Sequence, residues 1–504
     1  MLHNISDILL SQLSEFVTTY MGLHFPKERW RDLERGVCSA VNEFGFDDVQ
    51  SCVQWLMTSP LTKNQIEILA SHLTVGETYF FREKKSFEIL KEHILPELIR
   101  ARSSTEKRLR IWSAGCATGE EPYSIAISLD KILPDLKDWN ITVLATDINP
   151  RFLQKASEGI YNEWSFRDTL PGVKLKNFKK TNEGHYAILP HVKKLVTFSY
   201  LNLVEDVYPS LLNNTNAMDV IFCRNVLMYF SQNNQKKVIQ NLYRCLVDEG
   251  WLVVSPSETS HVLFSRFETV NYPGATFYKK RLAGLRDQRP GLLDYEEVIN
   301  QPLTTRPELE TTESEIEYRT GGLIYEISPP STDHRPPAPN LYTEALTLYE
   351  KGFYSEAEEK IAILLSQEQD EPKAMLLMAR VYANQGKLSD ALELCEKAIA
   401  ADKLNPGSHF LLATILQEQG RVEEAVASLK RVLYLDQNFI LAHFALGNLA
   451  LRQGKFKESE KHFKNALALL HDYRNEEILL ESEGVTAGRL KEIIKSTVME
   501  ETFV

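Results

Sequence analysis

A chain of 504 residues is too long for one ordinary hydrophobic core and implies roughly two to four domains. Its formal net charge of −12 argues against a broad nucleic-acid face, because phosphate binding draws on clustered Lys and Arg. The six cysteines, Cys38, Cys52, Cys116, Cys223, Cys245 and Cys395, are scattered with no C-x-x-C pair, so they offer neither a disulfide framework nor a zinc site and fit a reducing compartment.

The first stretch, "MLHNISDILLSQLSEF", carries Asp7 and Glu15 among its apolar residues and lacks the basic start and small-residue cleavage site of a secretory leader. No run approaches the roughly 18 apolar residues of a membrane span. A cytoplasmic chain with no membrane insertion is expected. Residues 1–85 show helical spacing, with Ile5, Ile8, Leu9, Leu13 and Phe16 at steps of three and four, and Val49, Val53 and Leu56 repeating it.

From Leu109 short apolar runs alternate with helical stretches, the pattern of βαβ units over residues 86–282. The runs are "LRIWSA" (109–114), "ITVLAT" (141–146), "MDVIFC" (218–223), "WLVVS" (251–255) and "TFYKK" (276–280). Apolar on both faces, they suit a mostly parallel sheet buried on both sides. Residues 160–200 break the alternation and read as a small antiparallel insert.

Residues 283–337 belong to a proline-rich, acidic stretch with little apolar periodicity, which reads as a flexible linker. Beyond it Gly352, Gly386, Gly420 and Gly454 recur every 34 residues. Small residues precede each by seven (Ala345, Ala379, Ala413, Gly447) and follow by five (Ala357, Ala391, Ala425, Ser459). Small residues at those offsets let two helices approach, and the glycine closes the turn between them. The pattern resembles tetratricopeptide repeats, four of them over 338–473, followed in 474–504 by a stretch, 487–498, with the composition of a capping helix.

"IWSAGCATGEEPYSIA" (111–126) reads as a buried strand, a glycine turn and a helix start. Turns of this shape usually cradle phosphate with backbone N–H groups and a lysine. This one carries Glu120 and Glu121 instead, and a further acid, Asp147, ends the next strand. An acid in that position is the ribose-hydroxyl device of nucleotide sites. Carboxylates with no phosphate-binding lysine suit a nucleoside bearing positive charge, and S-adenosylmethionine fits.

Four ordered motifs, "TVGETYFFRE" (74–83), "IWSAGCATGEEPYSIA", "ATDIN" (145–149) and "IFCRNVLMYF" (221–230), resemble CheR-type chemoreceptor glutamate methyltransferases over roughly residues 5–282. The resemblance implies an α/β Rossmann-like methyltransferase domain with an N-terminal helical domain and a small antiparallel β-subdomain, to which the sequence adds the all-α tetratricopeptide solenoid. It also implies S-adenosylmethionine as donor, with S-adenosylhomocysteine as product. Carried over position by position, Thr78 and Arg82 reach the donor pocket and Arg82 steers the incoming carboxylate. Glu121 takes the methionine ammonium, Asp147 the ribose, and Asn202 and Leu203 flank the adenine. Asn225 and Val226 close the pocket, and Tyr229 sits beside the transferring methyl. Gly76 stands where the family commonly has Asn.

A glutamate side chain, with an ordinary pKa of about 4.3, is already the attacking anion at neutral pH, so no general base is required. The site must position it in line and strip its water. Tyr229, Phe80 and Phe81 are candidates to face the sulfonium, or the two phenylalanines are simply core. In the family a basic helix of the N-terminal domain meets the acidic methylation helix of a methyl-accepting receptor. Lys27, Arg29, Arg31 and Arg35 of "PKERWRDLERGV" match it, interrupted by Glu28, Asp32 and Glu34. The repeats call for a protein partner that the sequence leaves unidentified. A competing reading is a scaffold that binds the donor as a sensor and recruits signalling proteins through the repeats.

Overall fold

The computed structural model of the chain describes residues 5–58, 60–103, 107–133, 136–210, 213–281, 341–367, 371–475, 477–482 and 485–501. The linker expected at 283–337 lies outside the described residues.

Helices α1 (Asp7–Met21), α2 (Trp30–Ala40), α3 (Val49–Leu56), α4 (Lys63–Leu73), α5 (Lys84–Ile89) and α6 (Leu95–Arg102) come first. Their starts follow local chemistry: Ser6, Asp48 and Thr62 each accept a first-turn N–H, and Thr62 with Gln65 closes a capping box. Then β1 (Arg108–Ala114), α7 (Glu120–Ile132), β2 (Asn140–Asp147) and α8 (Pro150–Glu158) build the first βαβα run. The insert supplies β3 (Ile160–Tyr161), α9 (Pro171–Asn177), β4 (Phe178–Lys180), β5 (Tyr186–Ile188) and α10 (Pro190–Lys193). The chain returns through β6 (Val196–Tyr200), β7 (Met218–Phe222), α11 (Gln232–Cys245), β8 (Leu246–Val253), β9 (Phe267–Tyr272) and β10 (Ala275–Lys280).

The main sheet has the order β6-β2-β1-β7-β8-β10-β9, parallel from β6 to β8 and antiparallel in the last hairpin. Residues of β1 and β7 are buried throughout, as their unbroken apolar runs require. One face of the sheet shares a core with the N-terminal helices, where Leu13, Val17, Leu33, Val53 and Leu69 pack toward Trp112, Leu144 and Ile221. The other face packs on α5, α6 and α7 and on the insert.

The insert forms its own antiparallel sheet, β3-β5-β4. It ends earlier than the sequence suggests. Val196–Tyr200 was expected within the antiparallel unit, but it pairs in parallel with β2, Val143 opposite Val196 through Asp147 opposite Tyr200, and forms the edge of the main sheet. Its alternating burial, typical of an edge strand exposed on one face, disguised it.

The repeats are α12 (Leu341–Glu350), α13 (Tyr354–Gln367), α14 (Pro372–Asn384), α15 (Leu388–Ala401), α16 (Pro406–Glu418), α17 (Val422–Leu435), α18 (Ile440–Arg452) and α19 (Phe456–Leu470), closed by α20 (Ala487–Glu501). The four periodic glycines all take positive φ, 71° to 79°, at the turn inside each helix pair. The small residues seven before and five after them are all buried at the crossings.

Candidate active site

In the main sheet the chain moves outward from β1 to β2 and on to β6, then returns to the other side of β1 through β7 and β8. The reversal falls between β1 and β7, and a cleft at their carboxyl ends is where open α/β sheets place ligands. Gly115, just after β1, has φ +78°, and a Cβ there would lie 2.4 Å from Cγ2 of Val226, just after β7. Only a bare backbone lets the two loops meet across the crevice.

The cleft has two halves of unlike chemistry. One, about 750 Å³, is mainly apolar and is lined by Met21, Phe25, Phe152, Leu201 and Leu203, with Asp147 and Asn202 among them. The other, about 790 Å³, is polar and is lined by Thr78, Arg82, Glu121, Arg224 and Ser257. Val75, Gly115, Ala117, Asn225 and Tyr229 border both.

Asp147 hangs at the end of β2. Its Oδ2 accepts the Ala117 N–H at 2.9 Å and its Oδ1 the Asn149 N–H at 2.9 Å. Burial raises its pKa to about 6, against the opposing pull of those N–H groups. Glu121 lies in the first turn of α7, where its oxygens accept from Ser113 Oγ at 2.7 Å and Arg224 Nη1 at 3.1 Å. Burial raises the Glu121 pKa, and the Arg224 charge and the Ser113 hydroxyl hold it back.

Arg224, the fourth residue of "IFCRNVLMYF", is a site residue that its sequence neighbours do not mark. Its side chain is only 1% exposed; Nη2 donates to the Arg82 carbonyl at 2.6 Å and stands 2.9 Å from Glu83 Oε2. It therefore staples the loop carrying Thr78 and Arg82 to the start of α7. Glu258 is a further site residue. Its carboxylate accepts the backbone N–H groups of Asn225 (2.7 Å), Val226 (2.8 Å) and Met228 (3.2 Å), so it fixes the whole loop after β7. Asn225 itself has φ +57°, a conformation that loop must be held in. The S-x-x-E pattern of "SPSE", a capping box at 255–258, was the available signal.

Thr78, Arg82, Glu121, Asp147, Asn202, Leu203, Asn225, Val226 and Tyr229 thus all border one cleft. Asn202 is less available than its expected place beside the adenine suggests: its Nδ2 donates to the Tyr20 carbonyl at 2.8 Å and ties the loop after β6 to α1. Tyr229 is held by its own carbonyl, which accepts the His24 N–H at 2.7 Å. Phe80 does not face the cleft. It is fully buried among Tyr161, Phe166 and Phe178, with ring centroids 4.9 Å from each, so it is core, and the half-buried Phe81 packs against that core on Phe87. Gly76 has a local reason: a Cβ there would lie 2.5 Å from Phe152, a ring that walls the apolar half.

The four basic candidates separate. Arg29 turns inward, its guanidinium 5.1 Å from the Phe25 ring and 5.7 Å from the Tyr229 ring, and lines the cleft. Lys27, Arg31 and Arg35 remain exposed, with Lys27 3.4 Å from Asp7 and Arg35 2.8 Å from Asp32.

A switch-point cleft with a carboxylate at each end and no lysine in the glycine turn defines a methyltransferase that uses S-adenosylmethionine. The apolar half with Asp147 suits adenosine, and the Glu121–Arg224 pair in the polar half suits a zwitterionic amino-acid end. The CheR methyltransferase, SAM binding domain, matches residues 76–274. A chemotaxis protein methyltransferase of Borreliella burgdorferi is 31% identical over 258 residues, 51% of this chain and 89% of the relative. A probable chemotaxis protein methyltransferase of Rhizobium etli is 38% identical (40% of this chain, 75% of the relative), and chemotaxis protein methyltransferase 2 of Vibrio cholerae 35% (45% and 76%). The chain belongs to the CheR family of chemotaxis protein methyltransferases. Its repeat region matches anaphase-promoting complex, cyclosome, subunit 3, over 338–432 and 384–466. Among the described residues no helix is long and apolar enough to cross a membrane.

Proposed function

We propose that the chain methylates glutamate side chains of a methyl-accepting chemoreceptor at their γ-carboxylates, with the repeats docking a further protein. The observation that carries this reading is Tyr229: it stands where the adenosine-like and amino-acid-like halves of the cleft meet, which is where a sulfonium joining those two parts would lie.

S-adenosylmethionine supplies an electrophilic methyl carbon and leaves as the neutral thioether. The residues of the chain do the positioning. Asp147 accepts ribose hydroxyls through the lone pairs left beside its two backbone bonds. Glu121 receives the ammonium, and Arg224 keeps it from standing as an isolated buried charge. Leu203 and the Asn202 loop flank the adenine, and Asn225 and Val226 close over the donor. Thr78 and Arg82 border the polar half from the side by which an acceptor carboxylate would enter. Arg82 donates Nη1–H to the Glu77 carbonyl at 2.6 Å, which aims its remaining N–H groups. A guanidinium can orient both carboxylate oxygens. Bound equally in ground and transition states it would add no rate, so its part is orientation. In-line positioning with water removed can lower a barrier by roughly 7–11 kcal/mol.

Lys27, Arg31 and Arg35 offer the exposed cations for an acidic receptor helix. Arg29, facing the cleft, serves the pocket wall.

The test is incubation of the purified chain with receptor-containing membranes and methyl-labelled S-adenosylmethionine. Label released as methanol by mild base is the expected product, and base-stable label overturns the assignment to carboxylate. Arg82→Ala should lower turnover by about 10²-fold while leaving S-adenosylhomocysteine affinity within about threefold. An unchanged turnover removes Arg82 from the reaction.

A further inference from the structure

The first helices of neighbouring repeats touch one another, α12 with α14 and α14 with α16, and so line the inner side of the solenoid. Inner faces of solenoids are binding surfaces. Here that face is covered by the chain's own C-terminal residues. After α19 the backbone doubles back through a short bridge between Ile478 and Thr486, with Leu479 N–H donating to the Val485 carbonyl at 3.0 Å. Leu479, Val485, Ala487, Leu490 and Ile494 are all buried, in one cluster with Phe410 and Ala413 of α16 and with Ile440, Leu441 and Phe444 of α18.

A cap would need only to cover α19. This segment reaches two repeats further back. The Glu481 carboxylate forms an ion pair with Arg380 of α14, and it crowds Gly407 at the start of α16, where a Cβ would lie 2.8 Å from Oε1. Glu481 adopts φ +63°, a conformation that L-residues other than Asn and Asp seldom take, so the tertiary contact holds it there. At the other end, the Arg489 guanidinium lies 4.8 Å from the ring of Tyr200, the residue before Leu201 in the cleft wall.

We propose that this C-terminal segment is a resident ligand of the repeat groove, and that a partner protein enters by displacing it with a segment of the same chemistry: a carboxylate for Arg380 flanked by branched aliphatic side chains. Buried leucines and a single charge pair are what such a segment must reproduce, and an intramolecular occupant competes with it through high effective concentration. The inference rests on the repeat groove and is independent of the methyl acceptor.

The experiment uses the full chain and a fluorescent peptide of residues 475–497 as probe, read by anisotropy, with hydrogen exchange of 485–494 measured in parallel. Wild type should bind the peptide weakly. Glu481→Arg, which sets like charges together, should expose residues 485–494 to exchange and bind the peptide at least tenfold more tightly. Arg380→Glu added to it restores an opposite-charge pair within the chain, and should return both readings toward wild type. Leu479→Asp releases the segment through a different contact and should also raise peptide affinity. Equal peptide binding by all four chains, or no gain in either releasing variant while S-adenosylhomocysteine binding shows them folded, overturns the proposal.

Discussion

At the scale of single residues, Asp147 carries the clearest pH signature. Its folded pKa of about 6 lies above the ordinary value of about 3.9. Between the two, the folded chain holds a proton that the unfolded chain has released, so stability from this group falls as pH rises from about 4 to about 6 and is level above. On the proposed ribose contact, donor binding should run the other way, because the ionised carboxylate is the better acceptor for ribose hydroxyls. Titration calorimetry with S-adenosylhomocysteine should show affinity dropping about tenfold between pH 7.5 and pH 5, as the ionised fraction shrinks. An affinity flat across that range would remove the carboxylate from the ribose contact. Asp147 and Glu121 were legible in the sequence because strand ends and helix starts can be located from periodicity. Arg224 and Glu258 were not singled out, because the loop and helix groups they hold lie 30 to 142 residues away in the chain.

At the scale of elements, the turn from β1 to α7 is the most constrained piece of backbone in the cleft. Gly115 is needed twice, for its φ of +78° and for the approach of Val226. Gly115→Ala should cost about 1–2 kcal/mol of stability from conformation alone and push the loop after β7 outward. Denaturant melts together with donor affinity would check this, and retained affinity at wild-type strength would contradict it. The strands with unbroken apolar runs were all readable. β6 was misassigned because an edge strand alternates, and alternation is also the mark of a small antiparallel insert.

At the scale of the whole molecule, the repeats lie against the sheet. The turns inside successive repeats meet the end of the sheet opposite the cleft: Arg244 of α11 donates to the Glu350 carbonyl at 3.1 Å, Arg108 crowds Gly386, and Asn140 of β2 donates to the Glu418 carbonyl at 2.7 Å. Glu418 is the centre of this contact. Its buried carboxylate bonds Arg110 and lies 3.7 Å from Arg108. Glu418→Ala would leave two guanidinium groups buried without it, a loss of about 3–5 kcal/mol. Calorimetry should show a lowered or split melting transition, whereas an unchanged single transition would show that the contact contributes little to holding the repeats.

The sequence by itself determined the buried strands of the main sheet, the 34-residue repeat, the glycine turn and the carboxylates around it, because each depends on neighbours within a few residues or on a strict period. Only the tertiary structure decided that Arg29 faces inward while Phe80 is core, that Arg224 and Glu258 hold the loops of the cleft, and that Glu418 and Glu481 bind the repeats to the sheet and the chain's own end into their groove. Those contacts join residues far apart in the chain, and their free energy arises only when folding removes water from both partners at once.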